Sequence, residues 1–363
     1  MTGESVSQSR LLVIGPSWVG DMVMAQALFS ALKTKFPDSA IDVLAPAWSG
    51  PLLGRMPQIS ATISMPVGHG KLGLLARWRL AQTLRARGYR RAVVLPNSFK
   101  SALIPFFAGI PVRTGWRGEM RFGLLNDIRL LDKKRYPLMV QRFVALAYAD
   151  HAALPDVTPR PQLTTDHGRL PELYSRLGLQ GDKPVLALCP GAEFGPSKRW
   201  PARHFAAVAQ EYIRRGWQVW LLGSGNDRLV ADQVIASLPA ASQSAASNLA
   251  GRTELVDVVD LLAVAGAVVS NDSGLMHIAA ALQRPLVAVY GSSSPAFTPP
   301  LGDNVAVVSI PVDCGPCFQR ECPQGHLKCL NDLTPQRVLD ALATRSAAAT
   351  SAVVSVVNQR PLL

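Results

Sequence analysis

Residues 11–29 read LLVIGPSWVGDMVMAQALF. The apolar run Leu11–Gly15, closed by Gly-Pro, is expected to form a short buried strand. Asp21–Phe36 then reads as a helix, ended by Pro37. A strand that passes through a short glycine-bounded loop into a helix is the opening of a doubly wound α/β unit. Moving outward, Ile41–Leu44 is the next expected strand and Ala92–Leu95 a later one. Between them Lys71–Gly88 reads as a helix, with Leu74, Trp78 and Ala81 on one face. This alternation implies a parallel sheet with helices on both sides.

The loop itself narrows the chemistry. A dinucleotide site needs G-x-G-x-x-G here and an acid at the end of the second strand. This loop has glycines only at 15 and 20, and the second strand runs out as Leu44-Ala45-Pro46, so NAD binding is not expected. Asp21 falls where the helix begins. It is either a helix cap or a carboxylate at the mouth of a site, available as a general base.

The pattern restarts in the second half. Val185–Leu188, Gln218–Leu222, Ala267–Ser270 and Leu286–Tyr290 read as strands. Pro201–Arg215, Asp227–Ser237 and Gly274–Leu282 read as helices. His151–Pro184, rich in Pro, Gly and Asp, is expected to link the two halves. The expected domains are 1–165 and 166–345, with a loosely ordered tail over 346–363. Ligands of such sheets bind at the carboxyl ends of the strands.

Charge divides the same way. The chain has 363 residues, 48% hydrophobic and 17% charged, enough apolar content for two cores. Residues 1–150 hold 20 Lys/Arg and 8 Asp/Glu, while the remainder balances, so the whole net charge of +12 sits in the first half. A basic half suits a large anionic partner. No apolar run approaches the ~20 residues of a spanning helix. The polar start MTGESVSQSR carries no signal-peptide pattern, so a cytoplasmic protein is expected.

Three loops of the second half carry candidate chemistry. Residues 190–201, PGAEFGPSKRWP, place Lys198 and Arg199 just ahead of a helix start, which suits a phosphate. No Walker pattern is present. In Gly223-Ser-Gly-Asn-Asp227, the acid either caps the next helix or reaches a ribose diol. Residues 270–282, SNDSGLMHIAAAL, end a buried strand in Asp272, Ser273 and Gly274. The free N–H groups of the last two can bind diphosphate oxygens, and His277 lies one turn further on. Four of the five cysteines, Cys314, Cys317, Cys322 and Cys329, fall within sixteen residues beside His326. They read as free thiols, a structural zinc site or a redox-labile pair.

Taken together, residues 15–29, 190–201, 270–282, CGPCFQRECPQGHLKCL at 314–330 and DKKRYPLMVQRF at 132–143 resemble the ADP-heptose:lipopolysaccharide heptosyltransferases of glycosyltransferase family 9. The resemblance runs from about Leu11 to Leu342. It implies a GT-B fold, two Rossmann-like domains facing across a cleft. It implies inverting transfer of L-glycero-D-manno-heptose from ADP-heptose to the first heptose of heptosyl-Kdo2-lipid A. It implies Asp21 as base, Lys198, Asp272, Ser273, Gly274 and His277 at the diphosphate, Asp227 at the ribose and Thr253 beside the adenine. Arg113, Lys133, Lys134 and Arg135 are candidates for the acceptor's carboxylates and phosphates. Ser273 stands where a related member carries Thr, and both supply a hydroxyl and an N–H. No D-x-D pair offers itself for a divalent ion, so no cofactor is expected for catalysis. The implied place of action is the cytoplasmic face of the inner membrane, as a peripheral protein. The other enzymatic reading is a related heptosyltransferase with a different acceptor. From another class, a non-catalytic binder of anionic membrane or nucleic acid would need no chemistry at Asp21, Lys198 or His277. Against nucleic acid, Lys71–Arg91 carries no standard nucleic-acid motif.

Overall fold

The computed structural model describes residues 9–68 and 70–345. The chain divides between Pro161 and Gln162 into two compact units. The division falls a few residues ahead of the expected one. The expected linker is also partly structured, because Leu170–Leu177 is a helix of the second unit. The expected tail, 346–363, lies outside the described residues.

In the first unit the strands are β1 (Arg10–Ile14), β2 (Ala40–Ala45), β3 (Ala61–Ser64), β4 (Tyr89–Val94), β5 (Val112–Trp116) and β6 (Asp127–Arg129). They pair in parallel in the order β3-β2-β1-β4-β5-β6. In the second unit they are β7 (Val185–Cys189), β8 (Gln218–Leu221), β9 (Ala246–Asn248), β10 (Ala267–Asn271), β11 (Leu286–Val289) and β12 (Val305–Val308). Their order is β12-β11-β10-β7-β8-β9. Counted within each unit, both sheets follow the order 3-2-1-4-5-6, the doubly wound arrangement. Its ligand crevice opens where the order reverses, between β1 and β4 and between β7 and β10.

The central strands are apolar runs because both faces are covered. Every residue of β2, β7 and β10 is buried. Val13 pairs with Val43 on one side and Val93 on the other. Leu188 likewise lies between Val269 and Leu221. The helices follow the 3.6 period. In Ala202–Arg214, Phe205, Val208, Ala209 and Tyr212 fall at i, i+3, i+4 and i+7, and all four are buried. Gly216, at φ +83, lies just past this helix, in a conformation that favours glycine. Trp200, fully buried, packs edge-on against Phe205 and donates its indole N–H to the Leu333 carbonyl at 2.9 Å.

One expected face is wrong at two of its three residues. The helix over 71–88 forms as Leu74–Arg85, but its inward residues are Arg77, Ala81 and Leu84. Leu74 and Trp78 point outward instead. Arg77 takes the inward place because its Nε donates to the Leu72 carbonyl at 2.7 Å, a bond that closes the turn entering the helix.

Candidate functional site

At the β7/β10 crossover, two loops meet. The loop after β7 contains a short 3-10 turn, Pro196–Lys198, and the loop after β10 leads into the helix Gly274–Ala281. Lys198 Nζ lies 2.5 Å from Asp272 Oδ2, and Ser293 Oγ donates to the same oxygen at 2.5 Å. Lys198 also sits over the Phe194 ring, 5.0 Å from its centroid. Ser273 is the N-cap in extended backbone and makes no side-chain cap, so the first-turn N–H groups keep their capacity for an anion. His277 lies on the first turn of this helix, buried, within electrostatic reach of both Asp272 and Lys198. Burial pushes its imidazole down to about 4, with Lys198 acting in the same direction and Asp272 against it. The ring is therefore neutral at pH 7.

Asp227 caps the neighbouring turn. Its Oδ2 accepts from the Ser224 N–H at 2.9 Å and the Ser224 hydroxyl at 2.8 Å. Its Oδ1 is buried with no hydrogen-bond partner, and Arg199 Nη2 stands 3.9 Å away. Gly191 lets this carboxylate approach, since a Cβ there would lie 2.2 Å from Asp227 Cγ. The cap and an atom left for a ligand are thus both present. Thr253 lies in the adjoining turn, which the Gly251 N–H ties to the Gly223 carbonyl at 3.1 Å. Asp257 and Asp260 bind Arg169 at 2.7 and 2.8 Å and belong to the fold.

Several supporting residues were not singled out from the sequence. Asn271 donates to the Pro190 carbonyl at 2.7 Å and accepts the Trp200 N–H at 3.1 Å, locking the Lys198 loop to β10. Ser293 belongs to the loop Gly291–Ser294 after β11. A glycine-serine run following an apolar strand was the available signal. The cysteine-rich segment has a mechanical part here. The Phe318 N–H donates to the Ser292 carbonyl at 2.8 Å, Ser197 Oγ donates to the Gln319 carbonyl at 2.5 Å, and Arg320 Nε donates to the Phe194 carbonyl at 2.7 Å. Cys314, Cys317, Cys322 and Cys329 line one small pocket with His326. Among the described residues, no three His, Cys, Asp or Glu side chains are grouped so as to hold a metal ion.

In the first unit, the helix after β1 begins at Val19, with Trp18 as N-cap. Asp21 is its third residue, half-buried, in the first turn at the carboxyl end of β1. Large exposed apolar side chains gather on the loops that follow the strands of this sheet: Trp18, Trp48, Phe99, Met120 and Phe122. Arg121 is buried beneath them, donating to the Pro96 carbonyl at 2.7 Å and to the Trp116 carbonyl.

Two of the expected acceptor cations are tied to backbone carbonyls. Arg113 sits at the start of β5, away from the carboxyl ends, with its guanidinium held by the Ile110 and Leu124 carbonyls at 2.6 Å each. Arg135 donates to the carbonyls of His151 and Ala152 at 2.9 and 3.0 Å. Both brace loops of this unit, and Arg135 is itself exposed. Lys133 and Lys134 are exposed.

The model of glycosyltransferase family 9 (heptosyltransferase) matches residues 77–328. The lipopolysaccharide heptosyltransferase 2 of Salmonella typhimurium strain LT2 is 52% identical over 338 residues, covering 92% of this chain and 97% of that one. The Escherichia coli K12 protein of the same name is 50% identical with the same coverage. The solved structure of the E. coli ADP-heptose lps heptosyltransferase II superposes with a TM-score of 0.85 at 48% identity, covering 94% of this chain and 99% of that one.

Proposed function

This chain belongs to glycosyltransferase family 9, the heptosyltransferases, and from that premise we propose that it moves L-glycero-D-manno-heptose from ADP-heptose onto the first heptose of heptosyl-Kdo2-lipid A, with inversion. The enzyme class and the GT-B fold rest on the family match and the superposition. The observation that carries the donor assignment is the Lys198–Asp272 pair beside the start of Gly274–Ala281, at the crossover of the second sheet.

In this reading the second unit takes ADP-heptose. Lys198 and the N–H groups of Ser273 and Gly274 neutralise the diphosphate. His277, neutral, offers a hydrogen bond without adding charge. Asp227 Oδ1 accepts from a ribose hydroxyl, and the turn of Thr253 borders the base. As the bond from C1 to the diphosphate lengthens, the sugar gains oxocarbenium character and the diphosphate gains charge. Lys198 and the helix end therefore stabilise the transition state more than the ground state. Asp21 takes the proton of the attacking hydroxyl, a role typically worth ~10²–10⁴ in rate. With a side-chain cation and backbone N–H groups at the diphosphate, the reaction needs no divalent ion, and chelation is expected to leave turnover intact. Lys133, Lys134 and Arg135 are candidates for acceptor anions, and the enzyme works as a peripheral protein of the cytoplasmic leaflet. Among the described residues no helix is long and apolar enough to cross a membrane.

The test is ADP release from ADP-heptose, with and without heptosyl-Kdo2-lipid A. Acceptor-dependent release with a new heptosyl linkage supports the reading. Tight donor binding without release on this acceptor moves the question to another acceptor. No binding of ADP-heptose overturns the donor assignment.

A further inference from the structure

Leu72, Leu74, Leu75 and Trp78 are 46, 49, 58 and 48% exposed. Four large apolar side chains in water within seven residues is a patch, not a scatter. The fold imposes it. Arg77, Ala81 and Leu84 face inward, so a helix of 3.6 residues per turn turns Leu75, Trp78 and Arg79 outward. The Arg77 guanidinium, bonded to the Leu72 carbonyl and 3.6 Å from Met65 Sδ, fixes that rotation. Gly73, in the left-handed region at φ +54, turns the chain just before the helix and presents Leu72 beside the first turn. Lys71 and Arg79 are exposed among the four. The surrounding sequence is one-sided in charge. Val43–Gly118, 76 residues, contains no Asp or Glu and eleven Lys/Arg.

We propose that this face, Leu72, Leu74, Leu75 and Trp78 framed by Lys71 and Arg79, lies on an anionic phospholipid bilayer. Leucine and tryptophan side chains seat at the boundary of headgroups and acyl chains, and the flanking cations meet lipid phosphates. Charge complementarity selects the occupant, because seventy-six residues without a carboxylate repel no anionic surface. The inference deepens the proposed function and rests on its lipid-anchored acceptor. Holding the enzyme on the bilayer that carries the acceptor raises the local concentration of both.

The experiment is partition of the full chain into phosphatidylcholine vesicles with and without phosphatidylglycerol, at low and high salt. Binding to the anionic vesicles is expected, weakening with salt. Leu74→Ser, Leu75→Ser and Trp78→Ser combined should lower partition by at least about tenfold, from the apolar area withdrawn. Lys71→Glu with Arg79→Glu should abolish the preference for anionic lipid, and it stands in if the serine variant fails to fold. Quenching by brominated lipid should fall in Trp78→Phe. Turnover with a deacylated, water-soluble acceptor should be unchanged in all of these. If wild type lacks that turnover, the proposed reaction fails while the vesicle result still decides the surface. Wild type that ignores anionic vesicles, or a serine variant that binds them equally, overturns the inference. So does a homodimer that the serine variant dissociates in place of vesicle binding.

Discussion

Lys198 Nζ and Asp272 Oδ2 stand 2.5 Å apart, on loops that leave adjacent strands β7 and β10. Neither side chain is well solvated, at 16% and 5% exposure. Truncating either member leaves the other charge uncompensated in a poorly hydrated place. The pair also aims the ammonium. Asp272 is itself held by Ser293, so Lys198 is positioned from β10 and from the loop after β11 at once.

Lys198→Ala is therefore expected to lower kcat/KM by roughly 10²–10³, the scale for losing one charge-stabilising group. Asp272→Asn should cost less, since the diphosphate still meets an ammonium that is only less well aimed. The double variant should fall well short of the sum of the two. Steady-state kinetics of the three variants check this, and additive effects would show that the two residues act separately.

Asp21→Asn keeps the size and hydrogen-bonding atoms of the side chain but removes the base. Turnover should drop by about 10²–10⁴. ADP-heptose affinity, measured by calorimetry, should stay within about twofold, because the donor residues all lie on the second unit. Normal turnover would remove Asp21 from the chemistry.

Much of this site is legible in the sequence because it sits in short loops between strongly apolar strands. Asp272 and Ser273 directly follow β10, His277 is on the helix that follows, and Lys198 is in the loop after β7, so locating the strands located them. What the sequence hides is tertiary use. Arg113 and Arg135 look like free cations, yet backbone carbonyls claim them. The helix over Leu74–Arg85 reads with Trp78 inward because an arginine is not expected to take a core position. Only the carbonyl left by the turn at Gly73 explains why Arg77 does. Ser293 and Asn271 escape notice for the same reason. Their partners lie about 20 and 80 residues away in the chain.

His277 gives a pH signature in stability. Its folded pKa, about 4, lies below the ordinary 6.5. The unfolded chain therefore binds a proton first on acidification. The stability it contributes is fully present above pH 6.5 and is lost as pH falls through the interval toward 4. At about 1.4 kcal/mol per pKa unit, this is roughly 3 kcal/mol. His277→Gln should flatten the chemical-denaturation stability curve over that interval. An unchanged slope would mean that other groups carry it.

The thiols should label in a fixed order. Backbone N–H groups from Leu327, Gln324, His326 and Gly325 hold the Cys322 thiol below its ordinary pKa. Burial pushes Cys189 up to about 12, and burial with the neighbouring thiolates raises Cys329. Iodoacetamide near pH 8, read by peptide mass spectrometry, should modify Cys322 first and Cys189 last. Prior incubation with zinc provides the metal test: protection of all four clustered cysteines would support the zinc reading, and no protection would leave them as thiols.

Gly191→Ala separates the two uses of Asp227. A Cβ at 191 would lie 2.2, 2.3 and 2.5 Å from the Asp227 Cγ, Oδ1 and Oδ2, so the carboxylate must swing away. Moving it sacrifices the cap on Ser224, worth about 1 kcal/mol of stability. If Oδ1 also serves the ribose, KM for ADP-heptose should rise tenfold or more while kcat changes little, because the ribose is remote from the bond that breaks. Asp227→Asn should raise KM too but keep most of the stability, since its amide carbonyl can still accept from Ser224. A Gly191→Ala enzyme with a lowered Tm and an unchanged KM would confine Asp227 to the cap.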